Sequence, residues 1–250
     1  MDDILEQLIQ LSHTLADEKY HLAMLGEGNT SANCQDGTFW VKASGSQMAT
    51  IDASGFSLVN LNAIMKLLGQ KTLSDEEINR GLNDALVNKN HRKPSVETFL
   101  HALFIQEGGA NWVGHTHPIS ILSILCSKSG AEPFLKHLYP DEIVVCGDAP
   151  VVVPYTDPGL PLAQAARKEL QHYQDERGHS PKVVLMENHG LIALGQTAQE
   201  VVNISLMSDK WAHVLRGTYA LGGPQYLSKE QADRIENRPD EHYRWRQLAR

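Results

Sequence analysis

Two histidines separated by one residue are the clearest chemical feature of the sequence. His115 and His117 follow residues 112–114, at the predicted end of a buried strand. Residues two apart on a strand share a face and lie about 6–7 Å apart, so both imidazoles can reach one metal ion. Neutral imidazole suits zinc and its neighbours, and a catalytic zinc site usually has three protein ligands. The pair suggests a metal site, although two histidines that only form local hydrogen bonds would show the same spacing.

His189 is the candidate third ligand. It lies in the turn 187–190, between the apolar segments 182–186 and 191–195, which are predicted to be strands. A tight turn between two strands can hold a side chain in a fixed direction. A turn histidine that faces solvent is the alternative, and only the presence of the first pair makes His189 a candidate.

The segment Pro94–Glu97 predicts the start of a helix. The apolar residues there recur at the spacing of a helix half buried against a sheet: Val96, Phe99, Leu100, Leu103 and Phe104. Ser95 suits the N-cap, which places Glu97 in the first turn beside unpaired N–H groups, where a glutamate often serves only the helix dipole. His101 lies in the same helix, but neither it nor His137 has a partner at a ligand spacing, so neither is assigned a role.

Composition predicts a soluble protein that acts in the cytoplasm. The chain has 250 residues, of which 42% are hydrophobic and 21% charged, as in an ordinary globular domain. Its net charge of −8 argues against a nucleic-acid or anionic membrane partner, but a few backbone N–H groups can still hold a phosphate. Three widely spaced cysteines without a CxxC suit a reducing compartment. The acidic N-terminal residues argue against a signal peptide, and the lack of a long apolar run argues against a membrane span.

The elements that must position these residues are visible as periodic segments. Helices are predicted at residues 4–24, 61–68, 74–86, 94–107, 119 to about 130, 162–174 and 197–216. Strands are predicted at residues 38–42, 143–146, 151–154, 182–186 and 191–195. The first of these strands has an antiparallel partner, and Gly28-Asn29 and Ser44-Gly45 lie in the adjoining turns. The sequence has no internal repeat and no domain linker, so residues 1–227 are predicted to form one domain and residues 228–250 a charged C-terminal helix or arm.

Five short motifs occur in the order and approximate spacing of one known family. They are Gly28-Asn29-Thr30-Ser31, Lys42-Ala43-Ser44-Gly45, Pro94-Ser95-Val96-Glu97, His115-Thr116-His117-Pro118 and Asn188-His189-Gly190. The chain resembles the class II aldolase/adducin family over roughly residues 4–217, and within it the fuculose-1-phosphate and rhamnulose-1-phosphate aldolases. The resemblance implies an α/β fold with three layers, α/β/α, and a mainly antiparallel central sheet. It also implies a homotetramer with active sites at subunit interfaces.

The resemblance also implies a role for each motif. His115, His117 and His189 match the family's ligands for a divalent metal, most often Zn²⁺, with Mn²⁺ or Co²⁺ as alternatives. Glu97 matches the catalytic acid/base. The residues that match the phosphate-binding segments, or that would add charge to them, are Gly28, Asn29, Lys42, Ser44, Gly45 and Ser95. The family's phosphate-binding members carry two adjacent serines where this chain has Ser95-Val96, so either Lys42 compensates or the substrate has no phosphate.

The implied function is that of a metal-dependent aldolase-type lyase. Such an enzyme cleaves a ketose, here expected to be a ketose 1-phosphate, by a retro-aldol reaction through a metal-bound enediolate. The alternatives within the family are an epimerase, a decarboxylase and a dehydratase. The epimerase branch has an aspartate at the position of Glu97, which favours the aldolase, whereas decarboxylases and dehydratases also carry the glutamate.

Two further alternatives belong to other functional classes. A non-catalytic interaction module like the adducin head would have lost metal ligands, whereas all three histidines and Glu97 are present here. The order of the motifs and the lack of an HExxH sequence argue against a zinc hydrolase. The expected partner is therefore a small sugar or sugar phosphate.

Overall fold

A sheet runs through the centre of the protein, with helices packed on both faces. The computed structural model describes residues 3–248. Its strands are β1 (Asn29–Asn33), β2 (Thr38–Lys42), β3 (Phe56–Asn60), β4 (Trp112–Thr116), β5 (Val151–Val153), β6 (Val183–Met186) and β7 (Gly190–Gly195). The α-helices of this part of the chain are α1 (Asp3–Leu15), α2 (Leu61–Leu68), α3 (Asp75–Asp84), α4 (Thr98–Gln106), α5 (Ile119–Leu125), α6 (Pro140–Cys146), α7 (Leu160–Arg177), α8 (Ala198–Tyr219), α9 (Lys229–Glu236) and α10 (Pro239–Leu248).

The strands follow one another across the sheet in the order β3-β2-β1-β4-β7-β6-β5. All neighbouring pairs are antiparallel except β5 and β6, which run parallel. Together with the helices on both faces, this order confirms the predicted α/β fold with three layers and a mainly antiparallel central sheet.

Side chains along the strands alternate between two hydrophobic cores. On β2, Phe39 and Val41 enter the core formed with α2, α4 and α7, whereas Trp40 enters the core formed with α1, α5 and α8. Successive residues of a strand point to opposite faces, so a strand that is apolar at every position needs a layer of helices on each side. The same alternation on β6 and β7 produces the three layers.

The ends of four strands meet at one edge of the sheet. Asn29 at the start of β1 pairs with His115 near the end of β4, and Thr116 pairs with Leu191 near the start of β7. Because β2 is antiparallel to β1, its end lies at this edge as well. Segments far apart in the sequence are therefore brought together by strand register alone.

The predicted start of the helix at Pro94 is wrong. Helix α4 begins at Thr98, and Glu97 occupies its N-cap position. Pro94 instead forms an isolated antiparallel bridge with Ala43, which keeps its backbone extended. The Ser95 hydroxyl accepts a hydrogen bond from the Glu97 N–H at 3.3 Å, so Ser95 shapes the turn before the helix rather than capping the helix.

The predicted strand at residues 143–146 is also wrong, because these residues belong to helix α6. Pro140 stands in the first turn, where a missing N–H costs nothing, and Asp141 and Glu142 complement the helix dipole there. Gly147 ends the helix with a φ of 87°. A run of four apolar residues fits a buried strand and a short buried helix equally well, and here the flanking residues favour the helix.

The C-terminal segment forms two helices, α9 and α10. Ala232 and Ile235 of α9 pack against Ile143 of α6 in a small hydrophobic cluster. Farther along, the Lys182 ammonium lies 4.5 Å from the centroid of the Trp245 ring. The division of the chain at residue 227 stays a prediction. Among the described helices, none has the length and apolarity needed to cross a membrane.

Gly114 marks a close approach of β4 to the helices behind it. A Cβ at this position would lie 2.5 Å from Cγ1 of Val201 and 2.9 Å from Cδ1 of Leu15. The β-branched side chain of Val201 has few rotamers in a helix and cannot easily give way. We expect Gly114→Ala to lower the free energy of unfolding by about 1–3 kcal/mol, the usual cost of overpacking.

Urea unfolding measures this effect against a matched control. Gly217 lies exposed in α8 with nothing within 4 Å of an added Cβ. Gly217→Ala is expected to raise the free energy of unfolding by about 0.5–1 kcal/mol, because alanine is the better helix former. An unchanged or raised stability of Gly114→Ala would contradict the close packing of β4 on α8.

Candidate active site

Three histidines lie together at the edge of the sheet where the strand ends meet. One ring nitrogen from each of His115, His117 and His189 lies within 4.8 Å of the others. The centroids of the three rings are 4.7 to 5.3 Å apart, and all three pairs are packed edge to face. His115 is buried and the other two are partly buried. Rigid strand ends thus gather three ligands of the kind that bind zinc and similar metals.

Hydrogen bonds from the Nδ1 atoms orient two of the three rings. Nδ1 of His115 donates to the Leu191 carbonyl at 2.9 Å, and Nδ1 of His117 donates to a Glu27 carboxylate oxygen at 3.1 Å. Burial lowers the pKa of both rings, which leaves them neutral near pH 7. With the proton on Nδ1, each Nε2 presents a lone pair, and the two Nε2 atoms face each other at 2.9 Å. Such an arrangement suits a shared cation, so the donor set fits a divalent metal.

Two glycines permit the close packing around these rings. A Cβ on Gly190 would lie 2.6 Å from the Thr116 carbonyl oxygen and 2.8 Å from Cδ2 of His117. Gly28 has a φ of 73°, and a Cβ there would lie 2.8 Å from the His115 carbonyl oxygen. Larger residues at either position would push the backbone away from the histidines. This explains why glycine stands at the start of the motif 28–31 and at the end of the motif 188–190.

Glu97 faces the histidine cluster from the start of α4. Its Oε1 lies 3.1 Å from Nε2 of His189 and 3.7 Å from Nε2 of His115. Its Oε2 accepts a hydrogen bond from the Asn29 amide at 2.5 Å. Burial alone would raise the pKa of this carboxyl, but the two histidines and the amide outweigh burial and lower the pKa below its ordinary value. Glu97 is therefore an ionised carboxylate within reach of whatever the histidines hold.

The remaining candidate residues form two neighbouring groups at the same edge. Gly28 and Asn29 lie beside β4, and Asn29 turns its amide toward Glu97 rather than toward open space. Lys42 is buried at the end of β2, and its ammonium donates to the Gly26 carbonyl at 3.4 Å. Burial lowers the pKa of Lys42, against the attraction of Glu97.

The turn after β2 carries the second group. The Ser44 N–H donates to the Lys93 carbonyl at 2.9 Å, which ties this turn to the segment that contains Ser95. Gly45 follows with a φ of 76°, a conformation that glycine adopts at little cost. The fold thus brings Ser44, Gly45 and Ser95 to one place.

Three polar residues of this region were missed by the sequence reasoning. Glu27 orients His117, and its other oxygen accepts the Met24 N–H at 2.6 Å. Arg92 donates from Nη1 to the Ser46 hydroxyl at 3.0 Å, and its charge lowers the pKa of Lys42. His101 contacts Asn29 from α4.

None of these three residues carries a local signal. His117, which Glu27 orients, lies 90 residues farther along the chain, and Asn29 lies 72 residues before His101, so only the folded register reveals these contacts. Arg92 reaches Ser46 across a separation of 46 residues.

A second group of possible metal-binding side chains lies outside this site. It consists of Asp148, His179 and Glu236. The Asp148 carboxylate is already engaged, because Tyr173 donates to one oxygen at 2.8 Å and Arg177 donates to the other at 2.5 Å. Asp148 thus pairs with Arg177 and lies 3.5 Å from Nε2 of His179, so we interpret this cluster as an ion-pair network.

Residues 6–215 match the model of a family described as "Class II Aldolase and Adducin N-terminal domain". A curated relative, "Uncharacterized oxidoreductase YuxG" of Bacillus subtilis (strain 168), is 32% identical over 202 residues, which are 78% of this chain and 27% of that protein. The chain thus spans about a quarter of the length of this relative, since the match covers 27% of it.

Solved structures share the fold. The N-terminal class II aldolase domain of a conserved protein from Thermoplasma acidophilum has a TM-score of 0.69 and 26% identity, over 86% of this chain and 94% of that one. An L-fuculose 1-phosphate aldolase has a TM-score of 0.71 and 20% identity, over 94% and 95% of the two chains. The match of the family model over residues 6–215 shows that the chain belongs to the class II aldolase and adducin family.

Proposed function

We propose that the protein is a metal-dependent aldolase-type lyase that cleaves a ketose, with a ketose 1-phosphate as the preferred substrate. The observation that carries this proposal is the position of Glu97, an ionised carboxylate 3.1 Å from a ring nitrogen of His189 within a cluster of three histidines. We assign His115, His117 and His189 as the metal ligands and Glu97 as the acid/base.

The residues of this site divide the chemistry between them. The ion, when bound, supplies a Lewis acid that polarises the carbonyl group of a sugar. In the condensation direction, Glu97 accepts a proton from the substrate carbon beside that carbonyl group. In the cleavage direction, one C–C bond breaks, the hydroxyl group on the departing carbon loses its proton to become the aldehyde, and one proton is added through Glu97 to the carbon of the remaining enediolate, so no net proton is gained or lost. An ionised carboxylate at rest suits the first role, and the second follows by microscopic reversal.

A pocket for an anionic group adjoins this centre. We assign to it the backbone N–H groups of Gly28 and Gly45 together with the Ser44 and Ser95 hydroxyls. Lys42 and Arg92 add two positive charges, and Arg92 makes no salt bridge with any residue that the structure describes. Such backbone and cationic donors typically hold a phosphate. Arg92 would offset the serine hydroxyl that Val96 replaces. Asn29 is a further donor, with one amide hydrogen already on Glu97.

The alternatives in the same family use related enolate chemistry and are separated by their products. An aldolase releases an aldehyde, an epimerase inverts a carbon without loss of mass, a decarboxylase releases carbon dioxide, and a dehydratase releases water. A panel of ketoses and ketose 1-phosphates, with the products identified over time, distinguishes these reactions. Aldehyde release is the outcome expected here.

We further propose a homo-oligomer, in the family pattern a tetramer, that acts in the cytoplasm. Apolar side chains are exposed close to the histidines, among them Leu25, which is 88% exposed, and Ile119, which is 51% exposed. Apolar patches of this kind commonly mark contacts between subunits. In the described part of the chain, Cys34, Cys126 and Cys146 are not joined in disulfides, which suits a reducing compartment.

The metal assignment predicts one divalent ion per chain, most often zinc. His115→Ala and His117→Ala should each abolish both metal content and activity, because two ligands rarely retain a catalytic ion. Elemental analysis of purified protein measures the content, and circular dichroism checks the fold. His179→Ala, in the ion-pair network, is the control and should keep the full stoichiometry. Active protein without stoichiometric metal would refute the assignment.

The role of Glu97 predicts a separation of turnover from metal binding. Glu97→Gln keeps the shape but cannot exchange a proton, so kcat should fall by about 10²–10⁴-fold while metal content stays unchanged. Glu76, an exposed glutamate in the first turn of α3, is the matched control, and Glu76→Gln should leave kcat unchanged. Full turnover in Glu97→Gln would reduce Glu97 to a charge at a helix start.

The anion pocket predicts a preference for the phosphorylated sugar. Arg92→Gln removes a charge-assisted donor, so kcat/KM should fall by about 10- to 100-fold for a ketose 1-phosphate and change little for the free ketose. Arg80→Gln on the exposed face of α3 should alter neither value. Equal kcat/KM values for the two sugars in the wild type would argue against a phosphate pocket and would make Val96 the mark of its loss.

A further inference from the structure

His101 is a buried histidine of α4, one helical turn after Glu97. Its exposed fraction is 1%, and both ring nitrogens have partners on β1. Nδ1 lies 2.6 Å from the Ser31 hydroxyl, and Nε2 is hydrogen-bonded to Oδ1 of Asn29. Ser31 and Asn29 are also buried. A polar chain of four side chains therefore runs from β1 through α4 and ends on Glu97.

The chemistry of its members sets the direction of every hydrogen bond in this chain. The Asn29 amide nitrogen donates to Oε2 of Glu97, so Oδ1 of the same amide faces His101. Oδ1 only accepts, so Nε2 of His101 carries the hydrogen. Burial lowers the pKa of His101 to about 4, so the ring is neutral near pH 7, and its bare Nδ1 accepts from the Ser31 hydroxyl.

Two regular repeats bring these side chains into register. Glu97 and His101 are four residues apart along α4, which separates them by about 6 Å on one face of the helix. Asn29 and Ser31 are two residues apart on β1, which separates them by about 6–7 Å on one face of the strand. The two spacings match, so the pair on the helix meets the pair on the strand.

We propose that His101 is a positioning residue that keeps the Asn29 amide turned toward Glu97 and thereby holds the acid/base in place. The two ends of an asparagine amide have nearly the same shape, and only their hydrogen bonds tell them apart. Without the donor at Nε2 of His101, the amide can rotate and present Oδ1 to the Glu97 carboxylate. Oxygen facing oxygen would push the carboxylate away from the histidine cluster. This inference rests on the role proposed for Glu97.

Kinetics of two His101 variants in the metal-loaded protein test the proposal. His101→Leu removes the donor at similar volume, and kcat should fall by about 10- to 100-fold while KM changes less than about twofold. His101→Gln restores an N–H donor and should recover most of kcat. A loss that glutamine does not relieve would overturn the proposal, and so would an unchanged kcat in His101→Leu.

A matched control and a double variant separate positioning from loss of packing. Phe104→Leu, three residues farther along α4 in its buried core, should lower the midpoint of thermal unfolding without a change in kcat. In a Glu97→Gln background, His101→Leu should cause no further loss of turnover, because both changes act on one group. Independent losses that multiply would show that His101 does not act through Glu97.

Crystal structures of the wild type and both variants test the positioning without reference to the reaction. In His101→Leu, the Glu97 carboxylate should lose its contact with the Asn29 amide nitrogen, and in His101→Gln the contact should remain. An unmoved Glu97 and Asn29 in His101→Leu would refute the proposal. Absence of aldolase activity in the wild type would instead refute the proposed function, so the two failures are distinguishable.

Discussion

Two neutral imidazoles whose unprotonated nitrogens face each other at 2.9 Å are the interaction on which the candidate site depends. Two lone pairs do not attract each other, so this geometry must be held from outside. The Leu191 carbonyl holds one ring and the Glu27 carboxylate holds the other. Leu191 is placed by the pairing of β4 with β7, and Glu27 by the turn that enters β1. The central strands of the sheet thus fix the direction in which the rings point.

The charges around these rings show how an acidic chain can offer local cationic donors beside the histidines. The protein carries a net charge of −8, and two carboxylates, Glu27 and Glu97, lie against the histidines. Lys42 and Arg92 adjoin them on the side of the turn after β2. Local cations and backbone donors govern binding at such short range, because solvent screens the distant surface charge. Burial lowers the pKa of Lys42, and the attraction of Glu97 opposes this by favouring the charged ammonium.

Most of the fold was predictable, because burial leaves a periodic signal in the sequence. Side chains of β2 alternate between two cores because this strand has a helix layer on each side. The apolar residues of α2 form a single stripe because this helix faces the sheet on one side only. The signal fails where an element is short or where distant backbone intervenes. Residues 143–146 are too few to distinguish a strand from a helix. The start of α4 moved from Pro94 to Thr98 because Pro94 is bound to Ala43, a residue 51 positions earlier in the sequence.

The sequence by itself determined which residue types the site contains. His115, His117, His189 and Glu97 lie in short motifs with strand or helix signals beside them, and the fold brings all four together. Tertiary structure alone decided how these groups are oriented and ionised. Glu27, Arg92 and His101 act through side-chain contacts across 46 to 90 residues of chain. Such contacts depend on strand register and on the position of a helix along the strand it packs against. No local pattern in the sequence encodes either of these.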